Sequence, residues 1–277
     1  MPNMTTSPRI TSRQNPRVKD AVRLRTGRGR QRQGRFLIDG AREIARALAM
    51  GILPLEAFVC EASNEQEAQL SVLKTLRRAG AEMLPVTPEV FEKICFGERD
   101  EFGVVVVAET PTRTIGELKL PADPLVAIVE GIEKPGNVGA VLRSADAAGV
   151  DAVIVVDGAT DLFNPNTIRA SLGTVFRPNV VEATAAETLD WLRQRGMRVL
   201  AARPDADLCY TSADFRGGVA IVLGSEAEGL TSAWSAEGAW RDAAIEPVGL
   251  PMRGMADSLN VSTTAAVLFY EAVRQRR

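Results

Sequence analysis

Four short runs of nearly uninterrupted apolar residues govern what this chain can fold into: Leu125–Val129, Ala152–Val156, Arg198–Ala202 and Val219–Leu223. A strand that is apolar on both faces must be covered on both, which is the condition of a parallel sheet flanked by helices. Helical patterns fall between them, at 137–148 and Ala186–Arg195. A final helix over Leu259–Gln275 places Val261, Ala265, Leu268 and Ala272 on one face. The second half therefore predicts an α/β unit.

The first half alternates in the same way with shorter elements. A basic helix is expected over 16–26, broken by Gly27-Arg28-Gly29. Strands follow at Arg35–Asp39, Leu55–Cys60, Glu82–Val86 and Val104–Ala108, with helices at Ala41–Met50, Glu65–Ala79 and Pro88–Ile94. Pro111, Gly116, Pro121 and Pro124 mark a linker. The expected division is 1–110 for a basic arm and small α/β domain, 111–124 for the linker, and 125–277 for the second domain.

Charge is distributed unevenly. Residues 1–35 hold ten Lys and Arg against one acid, Asp20, in a chain whose net charge is −2. A basic arm on an acidic body points to an anionic polymer. Aromatic residues are only 5% of the chain, so contact with RNA backbone and ribose fits better than base stacking. Arg13, Arg17, Lys19, Arg28 and Arg30 are the candidates for that contact.

Much chemistry is excluded. There is no histidine, hence no Ser-His-Asp or Cys-His nucleophile and no histidine-bound metal. Cys60, Cys95 and Cys209 are far apart and form no CxxC pair, so no metal site is expected. No apolar run approaches the roughly 18 residues that span a bilayer, and the first residues lack the apolar core of a secretory signal. A cytoplasmic protein with no membrane association is expected.

Three segments, each expected just after an apolar strand, carry the polar residues. Open α/β sheets place ligands beyond the carboxyl ends of their strands. In the first, Asn137-Val138-Gly139 opens a helix with Asn137 as an expected cap, and Arg143 can aim a guanidinium at a phosphate. In the second, Gly224 at a strand end lets another molecule approach the backbone, with Ser225 and Glu226 beside it. In the third, Leu250-Pro251-Met252 precedes Ser258, Leu259 and Asn260, the two polar residues being possible helix caps.

N-x-G-x-x-x-R-S-A, G-S-E-x-x-G-L and P-M-x-x-x-x-x-S-L-N-V-S, in that order, closely resemble the three motifs of the SpoU/TrmH family of the SPOUT superfamily, RNA 2′-O-ribose methyltransferases. The resemblance covers about 125–277. The stretch TSRQNPRVKDAVRL…GRFLIDGAREI resembles the family's small RNA-binding domain. Leu250 stands where isoleucine is commoner and Ala227 where many members have glycine, and neither alters a reacting group.

The resemblance implies a deep trefoil knot at the carboxyl end, a homodimer, and S-adenosylmethionine as cofactor. It places Leu223, Gly224, Leu250, Met252 and Leu259 at the cofactor, and Asn137, Arg143, Glu226, Ser258 and Asn260 at the active site. It implies methyl transfer to a ribose 2′-hydroxyl, an in-line displacement that needs alignment and no metal. A guanidinium with a pKa above about 12 is a poor base, so Arg143 is expected to hold phosphate and steady the developing alkoxide. The proton acceptor stays open.

The basic arm favours ribosomal over transfer RNA as the expected substrate. A transfer-RNA enzyme and a catalytically silent RNA-binding protein are the alternatives, the latter opposed by the intact Arg143, Glu226, Ser258 and Asn260. A dinucleotide-dependent oxidoreductase fails, because neither unit has G-x-G-x-x-G after its first strand.

Overall fold

A computed structural model describes residues 8–60, 67–96, 103–158, 161–225, 229–234 and 245–277. The chain forms two compact units, Met1–Pro111 with Phe163–Phe176, and Thr112–Leu162 with Arg177–Arg277.

The first unit runs α1 (Pro16–Arg23), α2 (Gly27–Gln33), β1 (Arg35–Asp39), α3 (Ala41–Ala49), β2 (Pro54–Cys60), α4 (Glu67–Arg78), β3 (Glu82–Val86), α5 (Pro88–Ile94) and β4 (Val104–Glu109). Its sheet has the order β1-β4-β2-β3. The glycines expected to break a helix instead begin α2. Thr26 caps it, its side chain accepting from the Gly29 amide at 3.1 Å, and Gly34 ends it in the left-handed region at φ 61°.

The basic arm is thus folded. Val18, Ala21 and Leu24 enter the core with Phe58, Leu84 and Phe91. Full burial of a valine or leucine is worth about 1.5–3 kcal/mol, so α1 is part of the unit's stability. Several of its arginines serve structure as well. Arg30 is 5% exposed and donates to the Leu24 carbonyl at 2.8 Å, closing the end of α1. Arg25 donates to the carbonyls of Lys93 and Cys95. Arg13 pairs with Glu92 at 3.0 Å, and Arg17 with Glu82 at 2.7 Å.

Phe163–Phe176 completes this unit from later in the chain. Phe36 stacks between Phe163 and Phe176, with ring centroids 4.5 and 6.0 Å away. The segment contains α7 (Pro165–Ala170), capped by Asn164 and unforeseen in the sequence because it spans under two turns. Leu172 at φ 55° and Gly173 at φ 84° reverse the chain, and the Leu172 carbonyl accepts from Arg46 at 2.7 Å.

The second unit holds β5 (Leu125–Glu130), α6 (Pro135–Ala148), β6 (Ala152–Val156), β7 (Val180–Ala183), α8 (Ala185–Gln194), β8 (Arg198–Ala202), β9 (Val219–Leu223), β10 (Ile245–Val248) and α9 (Val261–Gln275). The six strands are all parallel, in the order β10-β8-β9-β5-β6-β7. The four expected apolar runs are the four central strands. The two that the sequence did not reveal, β7 and β10, are four-residue edges with polar positions, and Pro247 is tolerated in β10 as an edge residue. Helix α9 packs on α6 and buries Val261, Ala265, Leu268, Phe269 and Ala272. Arg276 fastens the end of α9, donating to the carbonyls of Phe215 at 2.8 Å and Asp123 at 3.1 Å.

Beyond β9 the chain doubles back sharply. The Ser225 amide donates to the Gly229 carbonyl at 3.0 Å, and the Gly229 amide to the Ser225 carbonyl at 3.1 Å. A Cβ on Gly224 would lie 2.4 Å from the Gly229 carbonyl carbon and oxygen. The side-chain face of Gly224 is therefore covered by the chain's own backbone. Gly224→Ala is expected to cost about 1–3 kcal/mol and to lower the thermal midpoint by several degrees. Gly254→Ala is the control, since its added Cβ meets nothing within 4 Å. Equal midpoints for the two variants would show that the hairpin yields without cost.

Candidate active site at the carboxyl ends of the parallel strands

Parallel strands bring their carboxyl ends to one edge of the sheet, and here three of them open a cavity. The chain leaving β8 at Ala202, β9 at Leu223 and β10 at Val248 lines a space of about 360 Å³, closed on another side by the approach to α9. Gly249 is held close to the β8 side, where an added Cβ would lie 3.0 Å from the Ala206 carbonyl oxygen.

Leu223, Gly224, Leu250, Met252 and Leu259 all line this one cavity. They come from two motifs 26 residues apart at their nearest, counted from Gly224 to Leu250. Ser258 lines it too. Ser225, Thr264 and Ser258 supply hydroxyl groups, while Leu223, Val248, Leu250, Met252, Leu259 and Val261 make the apolar wall.

Asn260 and Asn137 join the first and third motifs. Asn260 Nδ2 donates to Asn137 Oδ1 at 3.4 Å, a long bond across α9 and α6. Asn260 also caps α9, its Oδ1 accepting from the Ser262 amide at 2.9 Å and the Ser262 hydroxyl at 2.6 Å. Asn137 is not the cap that the sequence suggested. Lys134 holds that place and Pro135 is the first helical residue, which sets Asn137 inside the first turn.

Arg143 lies six residues further along α6, exposed, and is not part of the cavity lining. No described residue makes a hydrogen bond or ion pair with it. Glu226 lies outside the described residues.

Of the arm residues, Lys19 and Arg28 are exposed. Arg13 and Arg17 are exposed but carry acidic partners. Arg30, expected to contact RNA, is instead buried against the Leu24 carbonyl and is not available to a nucleic acid.

Two residues at this edge escaped the sequence reading. Glu130 ends β5 with 2% exposure, and its carboxylate accepts three hydrogen bonds: from the Thr231 amide at 2.9 Å, the Thr231 hydroxyl at 2.8 Å and Trp234 Nε1 at 2.8 Å. It ties the segment after β9 to the end of β5. Arg203 follows β8 and lines the cavity. Asp205 grips it through Nε to Oδ1 at 3.0 Å and Nη2 to Oδ2 at 2.9 Å. That hydrogen-bonded partner raises the guanidinium above its ordinary value, and Arg203 lowers the Asp205 carboxyl below its own. The signal for Arg203 is its position directly after the apolar run Arg198–Ala202, since ligands sit beyond the carboxyl ends of parallel strands.

Among the described residues no group of three or more His, Cys, Asp or Glu is placed to hold a metal ion. None of the described helices is long and apolar enough to cross a membrane.

Comparison with known proteins places this architecture. The model of the SpoU rRNA Methylase family matches residues 124–270, and that of the MRM3-like substrate binding domain matches residues 15–101. A 23S rRNA (uridine(2479)-2'-O)-methyltransferase from Streptomyces viridochromogenes is 32% identical over 97% of this chain and 92% of its own. The crystal structure of an RNA 2'-O ribose methyltransferase superposes with a TM-score of 0.79 at 43% identity, covering 96% of this chain and 98% of that one. The SpoU methyltransferase AviRb from Streptomyces viridochromogenes, solved with AdoMet, has a TM-score of 0.83 at 28% identity over 94% and 98%. With the cavity built from its second and third motifs and the family's model matched over more than half its length, the chain belongs to the SpoU rRNA methylase family.

Proposed function

We propose that this enzyme transfers a methyl group from S-adenosylmethionine to a ribose 2′-hydroxyl of ribosomal RNA. The observation that carries this reading is the single cavity at the strand ends, in which the five cofactor residues expected from the motifs meet. A space of about 360 Å³ with a mostly apolar wall and a few hydroxyls suits a nucleoside-bearing cofactor. The leucines and valines offer apolar surface to an adenine, and the backbone at Gly224 and Leu250 offers polar groups at the rim. When bound, S-adenosylmethionine supplies an activated methyl group on a sulfonium.

The protein's share is alignment and charge. Asn260 and Asn137 fix the mouth where α6 meets α9. Arg143, exposed on α6 and without a partner among the described residues, is the group to hold an RNA phosphate and steady the 2′-oxygen as it loses its proton. Glu226 and Ser258 complete the proposed active site, and the proton acceptor is one of the polar groups at this mouth or water. Arg143→Ala should lower transfer to ribosomal RNA by about 10²–10³ while calorimetry finds cofactor affinity unchanged. Arg143→Lys should fail nearly as badly, because lysine keeps charge but loses the planar fork. Full activity of Arg143→Ala would remove it from the mechanism, and methylation of transfer RNA alone would remove the ribosomal substrate.

The RNA is held in part by the first unit. Its exposed basic residues include Lys19, Arg28 and Arg32, the last two one turn apart on α2. Deleting residues 1–35 would strip Val18 and Leu24 from the core, so charge must be removed by substitution. Arg28→Ala with Arg32→Ala should flatten the log–log salt dependence of single-stranded RNA binding by about 0.7 per lost phosphate contact. An unchanged slope would show that this face stays away from RNA.

The enzyme acts as a homodimer with the knot of its family, in the cytoplasm where its substrate lies. Of the three alanines Ala265, Ala266 and Ala272 that would let a second helix approach α9 closely, Ala265 and Ala272 are buried within the chain. The exposed side of α9 instead presents Tyr270 at 52% exposure, beside Ala266 and Val267. Sedimentation at micromolar concentration should give the mass of two chains, and Tyr270→Glu should shift it toward one. A wild-type monomer would refute the dimer, and a crystal structure with an unthreaded α9 would refute the knot.

A further inference from the structure

One formal charge lines the cavity among the described residues. Leucines, valines, a methionine, glycines and hydroxyl residues surround it, and Arg203 alone is ionised. Arg203, exposed at the rim and paired on one side with Asp205, is the lining group that can take a single anionic group on whatever enters.

Its geometry is specific. The Arg203 amide donates to the Val248 carbonyl at 3.0 Å, which fixes its backbone between β8 and β10. Asp205 occupies the Nε–Nη2 side of the guanidinium with two hydrogen bonds at 3.0 and 2.9 Å. A guanidinium has five N–H groups in one plane. The side-on fork with Asp205 uses two of them and leaves the Nη1–Nη2 end for a second carboxylate. As a surface ion pair alone, this contact would add little to stability. As a clamp it removes most of the freedom that a long arginine must lose on binding, so less affinity is spent on ordering it.

We propose that Arg203 recognises the carboxylate at the amino-acid end of the cofactor, with Asp205 as the positioning residue that holds the guanidinium ready. The inference rests on the reading of this cavity as the S-adenosylmethionine site and adds which end of that molecule lies toward β8. The adenosine then occupies the apolar part of the cavity, away from Arg203.

Two neutral-sulfur ligands isolate the contact. S-adenosylhomocysteine carries the amino-acid end, and 5′-methylthioadenosine lacks it while keeping the adenosine and a thioether. Calorimetry on the full chain should show Arg203→Ala binding S-adenosylhomocysteine about tenfold or more weakly, the loss expected of one charged hydrogen-bonded contact. Binding of 5′-methylthioadenosine should change by less than about twofold. Arg203→Lys should fall between, and Asp205→Asn should weaken S-adenosylhomocysteine selectively but less than Arg203→Ala. Thermal midpoints of all variants should match the wild type. Equal weakening of both ligands would make Arg203 a scaffold of the loop and overturn the proposal, as would no change in either. If the wild type binds neither ligand nor S-adenosylmethionine, the cavity reading itself fails and the inference falls with it.

Discussion

A carboxylate with almost no access to water holds the working edge of the sheet together. An ion in the interior is costly unless its lone pairs are met. Glu130 meets that condition with three donors from a segment about a hundred residues later, two from Thr231 and one from Trp234. Trp234 is itself 1% exposed and belongs to the core beneath β5, β6 and β9. The arrangement is therefore anchored twice, by packing and by charge. Between that anchor and the end of β9 lies the reversal at Ser225 and Gly229, which presses on Gly224 and shapes one wall of the cavity.

From that edge the parallel sheet explains how distant motifs become one site. Each strand delivers its following residues to the same side, so Arg203, Gly224 and Leu250 share one space without any loop having to travel far. The helices then set the first motif against the third, through α6 on α9 and the Asn137–Asn260 contact. Chemistry is confined to side chains that a protein without histidine can offer: amide, hydroxyl, carboxylate and guanidinium.

What could be read from the sequence follows from burial. The central strands were legible because a strand covered on both faces has an apolar signature that needs no context. The edge strands β7 and β10 lack it, since one side of each carries no neighbour and polar residues are allowed there. Helix α2 is hidden in the sequence because Gly27 and Gly29 read as breakers, whereas Thr26 supplies a cap strong enough to start a helix on them. In the site, motif spacing identified the lining from β9 onward. Arg203 and Glu130 carry no such spacing signal, because their roles depend on neighbours 45 and 101 residues away in sequence, Val248 and Thr231. The basic arm shows the same limit. Ten positive charges announce an anionic partner, yet only the fold tells which of them are spent on carbonyls and carboxylates.

The interleaving of the first unit has a consequence for synthesis on the ribosome. Phe36 emerges early, but the two rings that cover it, Phe163 and Phe176, arrive more than a hundred residues later. At about 5–20 residues per second, the nascent chain exposes that aromatic surface for many seconds. From the end of β4 until Phe176 arrives, the sheet of β1 to β4 is complete in sequence while Phe36 still lacks one or both of its ring partners. The amino-terminal unit is thus closed last by a piece of chain borrowed from between β6 and β7, and its boundary is a matter of timing as much as of position.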